Sequence, residues 1–497
     1  MKRAAPLLLL AMAACGKPAH APPSGKAGNA KADAASAAPV LVAAAAETSG
    51  PELPKTLDAT AVDAWIVHQI KTRGLVGASV AVVDHGKVIL AKGYGKKSVA
   101  SASDDVTPDT AFGIGSVTKE MTCACALLLA ERHKMSLDDK VAKYFPELTR
   151  AKDITLDDVL AHVAGYPDYY PLDFLDSRMK KATTPDAVVA EYAKKPLDFE
   201  PRTKWSYSNT GYLVAGRAVE KASGEELGAF MAKNIFAPLG MKHAALDGAG
   251  LTDISKGHTS VALADPEIVP LEAHGWLHAA GGVFMTASDL AAWDMGVVDH
   301  KVLSPASFTK LTTPRTLADG SNTQYACGLA VSTRNGDLAF AHSGAVSGFA
   351  AYNAFVPRTH SAVVLLVNGD FGSPGAMHND LFNWLVNLSS THPPPKVQGA
   401  AAKEAAAALF AQMQKGSIDR AQLAEEFSAY LTDARLRAAA PRLAAMGEPK
   451  KVELVTTSER GGDESAVVDF TFATGRVRVQ LFRRPDGKVE QILLQKR

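Results

Sequence analysis

Phe112-Gly113-Ile114-Gly115-Ser116-Val117-Thr118-Lys119 leads directly into an apolar run from Met121 to Ala130. Two glycines let the backbone turn sharply just before Ser116, which places the serine at a helix N-terminus. Lys119 follows three residues later on the same helical face, within reach of the serine hydroxyl. A serine becomes a nucleophile when an adjacent base takes its proton, and a lysine desolvated beside it can serve. The helix dipole also favours a developing oxyanion. Ser-x-x-Lys alone decides little, because Ser177 to Lys180 and Ser307 to Lys310 repeat the spacing. Neither of those has flanking glycines or opens an apolar helix.

Two further elements raise the weight of Ser116. Trp205-Ser206-Tyr207-Ser208-Asn209-Thr210-Gly211-Tyr212 holds the only Tyr-x-Asn among eleven tyrosines. His342-Ser343-Gly344 is the only His-x-Gly among fourteen histidines, and Ala345 follows it in a strand-like stretch. Together the three resemble the active-site elements of the serine β-lactamase and penicillin-binding family. The match is closest to the class C β-lactamase branch, which includes carboxypeptidases, esterases and D-amino-acid peptidases. The resemblance continues between the motifs: Ser136 to Asp139 with Tyr144 to Glu147, Ile154 to His162 ending in Gly165, and Ala280 to Leu290. It covers residues 55–390, with order and spacing kept.

The resemblance implies a role for each matching position. Ser116 attacks an acyl carbonyl and carries the acyl-enzyme. Lys119 and Tyr207 share the proton traffic, Tyr207 acting as phenolate or through Lys119. Asn209 hydrogen-bonds substrate or Lys119. The backbone N–H groups of Ser116 and Ala345 form the oxyanion hole, and Gly344 gives the substrate close access. One element departs from the β-lactamase form: Lys-Thr-Gly is absent, and His342 stands where a permanent cation would bind a β-lactam carboxylate. An imidazole is mostly neutral near pH 7. If His342 instead binds a substrate anion as a cation, turnover should rise as pH falls toward 6. The implied activity is a serine acyl hydrolase acting on small amides, D-amino-acid peptides or esters. The alternative is a catalytically weak penicillin-binding or peptidoglycan-sensing protein of the same fold. The reading requires no metal and no organic cofactor.

The rest of the chain fits α+β organisation. Residues 57–73 read as an amphipathic helix, and 77–90 as a β-hairpin turning at Asp84-His85-Gly86-Lys87. A mostly helical section runs to about residue 245, with a later strand at 362–367 and a helix at 376–388. Sheet neighbours so distant in sequence argue against alternating βαβ units. The expected fold is an antiparallel sheet flanked by helices plus an all-helical subdomain. Beyond a Pro-rich linker at 391–400, residues 401–497 read as a small accessory α+β domain: Ala-rich helices, then strands at 451–457, 465–473, 476–483 and 488–495.

Lys2 and Arg3, the apolar stretch Leu7 to Ala14 and a small-residue end give residues 1–15 the pattern of a secretory signal. Met12-Ala13-Ala14-Cys15 resembles a bacterial lipobox, in which Cys15 is lipidated and tethers the protein to a membrane, facing the periplasm or cell exterior. Residues 16–54 read as a disordered Ala/Pro/Gly/Lys tether, whose first 35 residues reach roughly 30–35 Å as a flexible coil. Cys123, Cys125 and Cys327 read as buried inert thiols, since the first two lie on different faces of one helix.

Composition excludes other classes. Lys+Arg number 53 against 52 Asp+Glu over 497 residues, and aromatics are 7%, so nothing advertises a nucleic-acid partner. Four cysteines exclude a disulfide scaffold and a Cys-built metal module. His274 and His278 lack a His-Glu-x-x-His frame and read as structural. Gly93 to Ser98 lacks the first glycine and the helix of a phosphate loop. Tyr169, Tyr170 and Trp276 are candidates for either a cleft wall or core packing.

Overall fold

The computed structural model describes residues 51–170, 175–389, 395–460 and 462–496. The 1–15 signal, Cys15, nearly all of the 16–54 tether and Pro393-Pro394 of the linker lie outside the described residues. Helix α1 (Ala59–Thr72) begins at Asp58, whose carboxylate accepts from the Thr60 and Ala61 amides. Its Val62, Trp65, Ile66 and Ile70 are buried, as their spacing requires. Strands β1 (Gly77–Asp84) and β2 (Lys87–Gly95) form the hairpin. His85 and Gly86 both take positive φ at its turn.

A largely helical region follows. Helix α2 (Thr118–Glu131) is buried from Thr118 through Leu129, so it is a central element with no solvent face. Helix α3 (Asn209–Ser223) is capped by the Ser208 hydroxyl and ends at left-handed Gly224. Helix α4 (Ala287–Val298) starts at Thr286, whose side chain accepts from the Asp289 amide.

The chain then returns to the sheet with β3 (Ala330–Arg334), β4 (Asp337–Val346), β5 (Phe349–Val356) and β6 (Ser361–Val367). The sheet is antiparallel throughout, in the order β2-β1-β6-β5-β4-β3. Strand β1 pairs with β6, Ala78 opposite Val367, across the whole helical region. Both strands are buried on both faces. Val80, Val82, Val363 and Leu365 join the core under α1 and α5 (Pro374–Ser389). Ala81, Val83, Val364 and Leu366 join the larger core that holds α2, α3 and α4. This division explains why β1 and β6 read as continuous apolar runs and not as alternating ones.

The thiol expectation fails for two of three cysteines. Cys123 on α2 and Cys327 form a disulfide, with Cα atoms 5.8 Å apart and 204 residues between them in sequence. Helical facing excluded only the Cys123–Cys125 pair. The fold lays Ala326-Cys327-Gly328 across α2, and Gly328 permits the approach. A Cβ there, at φ +79°, would stand 2.8 Å from the Glu120 amide and the Lys119 carbonyl. Cys125 is buried and free, and burial pushes its thiol up.

Beyond the linker, α6 (Ala402–Gln414) lies on a second antiparallel sheet of β7 (Lys451–Arg460), β8 (Asp463–Phe472), β9 (Gly475–Arg483) and β10 (Val489–Lys496). Leu409, Phe410 and Met413 meet Val468, Phe470, Val479 and Leu481 in a core of their own.

Candidate active site

Ser116 sits in a single 3-10 turn, Gly115–Val117, that feeds α2. Gly115 takes φ +51°. The edge of β4 runs directly against this turn. A Cβ on Gly344 would overlap the Ile114 carbonyl and come 2.9 Å from the Ser116 amide, while one on Gly115 would come 2.7 Å from the Ala345 amide. Two glycines therefore permit backbone-on-backbone contact, and that contact brings the Ser116 and Ala345 amides side by side. Paired amides of this kind are what an oxyanion hole requires.

Lys119 is fully buried, yet its Nζ is well provided with acceptors. It lies 3.0 Å from Ser116 Oγ, 2.8 Å from Asn209 Oδ1 and 2.6 Å from the Ala280 carbonyl. The Tyr207 ring centre is 4.8 Å from Nζ, and the Tyr212 ring centre 5.3 Å. Asn209 is oriented in turn by Asp168. Its Nδ2 donates to Asp168 Oδ1 at 3.2 Å and Oδ2 at 3.3 Å, and its backbone N–H donates to Oδ1 at 3.1 Å. With Nδ2 so engaged, Oδ1 faces Lys119. Burial raises the Asp168 carboxyl from its ordinary range.

His342 lies on β4 two residues before Gly344, buried, with both ring nitrogens engaged. Nδ1 is 2.6 Å from the Ser343 carbonyl, and Nε2 is 2.9 Å from the Tyr325 hydroxyl. Nδ1–H thus donates to the carbonyl and Nε2 accepts from Tyr325, whose hydroxyl burial pushes well up. Burial first, and Lys119 second, push the His342 imidazolium down to about 3. These surroundings favour the neutral ring over the cation that would bind a substrate anion. His162 reinforces this environment. Its ring centre is 4.2 Å from that of Tyr207, its Nδ1 accepts from the Ser208 amide, and burial lowers it well below the usual imidazole range.

With this geometry in place, likeness to known proteins is informative. The family model described as Beta-lactamase matches residues 62–388. The chain belongs to the β-lactamase family. It is 30% identical over 322 residues to unguisins hydrolase ungD' of Aspergillus campestris, covering 60% of this chain and 59% of that protein. It is 28% identical over 246 residues to teichoic acid D-alanine hydrolase of Staphylococcus aureus, covering 48% and 58%. The chain thus spans under two thirds of either relative. The structure of D-amino acid amidase from Ochrobactrum anthropi, complexed with L-phenylalanine amide, superposes with a TM-score of 0.57 at 24% identity, covering 67% of this chain and 98% of that one. That likeness is one of fold.

This member of the β-lactamase family is a serine hydrolase, and the fold brings together all seven residues predicted around its site: Ser116, Lys119, Tyr207, Asn209, His342, Gly344 and Ala345. Sequence reasoning missed four others. Asp168 lies in Tyr166-Pro167-Asp168-Tyr169-Tyr170, where its only signal was position just after Gly165. Ala280 contributes a backbone carbonyl, which no side-chain pattern reports. Tyr325 sits in a stretch with no motif of its own, and His162 closes the Ile154–His162 stretch, to which the resemblance gave no role at the site. Tyr169 and Trp276 prove to be core, whereas Tyr170 is half-buried and hydrogen-bonds Glu272. His274 and His278 face different carboxylates, Asp247 and Glu220. Among the described residues no group of His, Cys, Asp and Glu is arranged to hold a metal.

Proposed function

We propose that the protein is an exported acyl hydrolase that cleaves small esters and amides, D-aminoacyl compounds foremost, through an ester on Ser116. The observation that carries this reading is the set of three oxygens around Lys119 Nζ. In the amine form its two hydrogens go to Asn209 Oδ1 and the Ala280 carbonyl, which leaves the lone pair aimed at the Ser116 hydroxyl 3.0 Å away. Lys119 takes the hydroxyl proton as Oγ bonds to the substrate carbonyl carbon. The oxyanion rests on the Ser116 and Ala345 amides. Collapse expels the alcohol or amine, which leaves with a proton from Lys119, directly or through Tyr207. Water then attacks the acyl-serine, yielding the acid and restoring Ser116.

The neutral His342 gives no cation for a β-lactam carboxylate, which argues for esters and amides over β-lactams. The substrates named for the Staphylococcus and Ochrobactrum proteins support the D-aminoacyl class. A panel of p-nitrophenyl ester, D-alanine p-nitroanilide and nitrocefin, run beside Ser116→Ala, tests the reading. Turnover of the first two, lost in the variant and exceeding that of nitrocefin, is expected. Absence of any Ser116-dependent turnover or fluorophosphonate adduct would sink it.

Export is supported by the Cys123–Cys327 disulfide, a bond that persists in oxidising compartments. Membrane attachment through Cys15 predicts that Cys15→Ala moves the protein from the membrane to the soluble fraction. No helix among the described residues is long and apolar enough to cross a membrane.

A further inference from the structure

Glu272 is a buried carboxylate that the acyl-transfer chemistry does not use. Only 8% of it is exposed. Its Oε1 accepts from the Ser347 amide at 3.1 Å and from the Tyr170 hydroxyl at 2.6 Å. Burial and Glu272 itself push the Tyr170 hydroxyl up, so the tyrosine remains the donor. Oε2 is equally buried, and it has no hydrogen-bond partner among the described residues. Leaving a buried charged acceptor unmet is costly, and such an atom calls for a donor from elsewhere.

The two groups that hold Oε1 come from two segments that also carry site residues. Ser347, in the turn that follows β4, lies two residues beyond the oxyanion-hole amide of Ala345, at most about 7 Å away. Tyr170 lies two residues beyond Asp168, the carboxylate that orients Asn209. Glu272 therefore ties the segment that follows the Ala345 amide to the segment that carries Asp168. His342 is on the other side of Ala345 along the same strand, and it is neutral.

We propose that Glu272 Oε2 binds a protonated amine on the acyl part of the substrate, and so selects aminoacyl esters and amides with a free amino group. The reach is suitable. An α-nitrogen stands about 2.5 Å from its carbonyl carbon, and an ammonium–carboxylate contact adds about 2.8 Å. Together with the carbonyl oxygen's own contact to the Ala345 amide, these cover a separation of that size. An anion at this position also disfavours acyl groups that carry a carboxylate.

The inference deepens the proposed function and rests on Ser116 chemistry, and the experiment separates the two. kcat/KM is measured for D-alanine p-nitroanilide and for N-acetyl-D-alanine p-nitroanilide. Where anilide cleavage is slow, the matching amides are measured as inhibitors of p-nitrophenyl acetate turnover. The wild-type protein should favour the free amine by tenfold or more. Glu272→Gln keeps the Oε1 acceptor for Tyr170 and Ser347 but replaces the free anionic oxygen. It should lose about 10–100-fold on the free-amine compound, as for a charge-assisted hydrogen bond, and stay within about twofold on the N-acetyl one. Equal loss on both compounds marks Glu272 as a structural clamp and overturns the proposal, as does a wild-type protein without preference. Turnover of p-nitrophenyl acetate and a fluorophosphonate adduct, both Ser116-dependent, with no amine preference overturn the subsite alone. Absence of both overturns the acyl-enzyme reading and the subsite together.

Discussion

Lys119 and Glu120 are consecutive on α2, both fully buried and opposite in charge type, yet their surroundings diverge. Successive side chains on a helix point about 100° apart, so one faces the cleft and the other the back of the helix. Lys119 meets three oxygen acceptors between 2.6 and 3.0 Å. Glu120 accepts from Trp293 Nε1 at 2.8 Å and from Asn353 Nδ2 at 3.3 Å. The same Nδ2 donates to Asp294 Oδ1 at 2.8 Å, so two carboxyls share one amide. Asp294 Oδ2 and Asn353 Oδ1 are left without hydrogen bonds among the described residues. Burial pushes Glu120 up to about 8 and Asp294 well above its usual range, the latter with help from Glu120. Burial is therefore common to both sites and does not mark function. The mark is whether the buried group touches a half-buried nucleophile.

Substitution at the two positions should break apart most strongly in activity. Ser116→Ala and Lys119→Ala are each expected to lower kcat by about a thousandfold or more, and the double variant little further, because the two act as a unit. Glu120→Gln should leave kcat within about tenfold. Steady-state kinetics on a p-nitrophenyl ester measures all four variants. A Lys119→Ala enzyme within tenfold of wild type would erase the distinction.

The disulfide is the second lever, since Cys123 lies one turn beyond Lys119 on α2 and Cys327 adjoins Gly328, which packs on the Lys119 carbonyl. Cys123→Ser should lower stability by about 2–5 kcal/mol, read from denaturant unfolding under oxidising conditions. Under a strong reductant the wild-type protein should fall to meet the variant.

Glu120→Gln also carries a pH signature. A carboxyl whose folded pKa is raised stays protonated in the native state while the unfolded chain releases its proton. Stability is then full below the ordinary value of 4.5 and falls as pH rises toward 8. Glu120→Gln removes the Glu120 share of this slope and leaves that of Asp294, and its amide can donate where the protonated acid would. The variant's Tm should match wild type near pH 5 and exceed it near pH 8. A parallel pair of Tm curves across that range would place the proton elsewhere.

These comparisons show where the sequence was legible. Ser116, Lys119, Tyr207 and Asn209 stood out because each element couples a reactive residue to a spacing that one helix or turn enforces. Gly115 and Gly344 were visible as glycines, but their shared purpose required seeing β4 laid on the turn. The hairpin and β6 could be read from apolar runs, since period and turn chemistry are local. The Cys123–Cys327 bond, the Asp168–Asn209 contact and the Glu120–Asp294 pair are long-range juxtapositions. Nothing within a window of a few turns encodes them. Asp294 in particular follows Trp293 in an ordinary amphipathic pattern, and only the three-dimensional packing reveals that both are buried.

His342 offers the smallest effect and the sharpest contrast with Glu120. Both are buried and both are shifted toward their neutral forms, but the consequences for pH run in opposite directions. The imidazole is held down to about 3, so the unfolded chain gains a proton below the ordinary value of 6.5 while the native state does not. His342 therefore contributes stability that is present above about 6.5 and is lost as pH falls toward 3, whereas Glu120 costs stability as pH rises. Before substrate binds, burial and Lys119 hold the ring toward its neutral form, and its nitrogens are committed to Ser343 and Tyr325. His342→Gln should accordingly change kcat/KM by only severalfold and leave the shape of the pH–rate profile unaltered. A wild-type limb near pH 6–7 that vanishes in His342→Gln would mean that substrate binding restores the imidazole's proton. It would also remove the neutral end of the cleft on which the contrast with Glu272 depends.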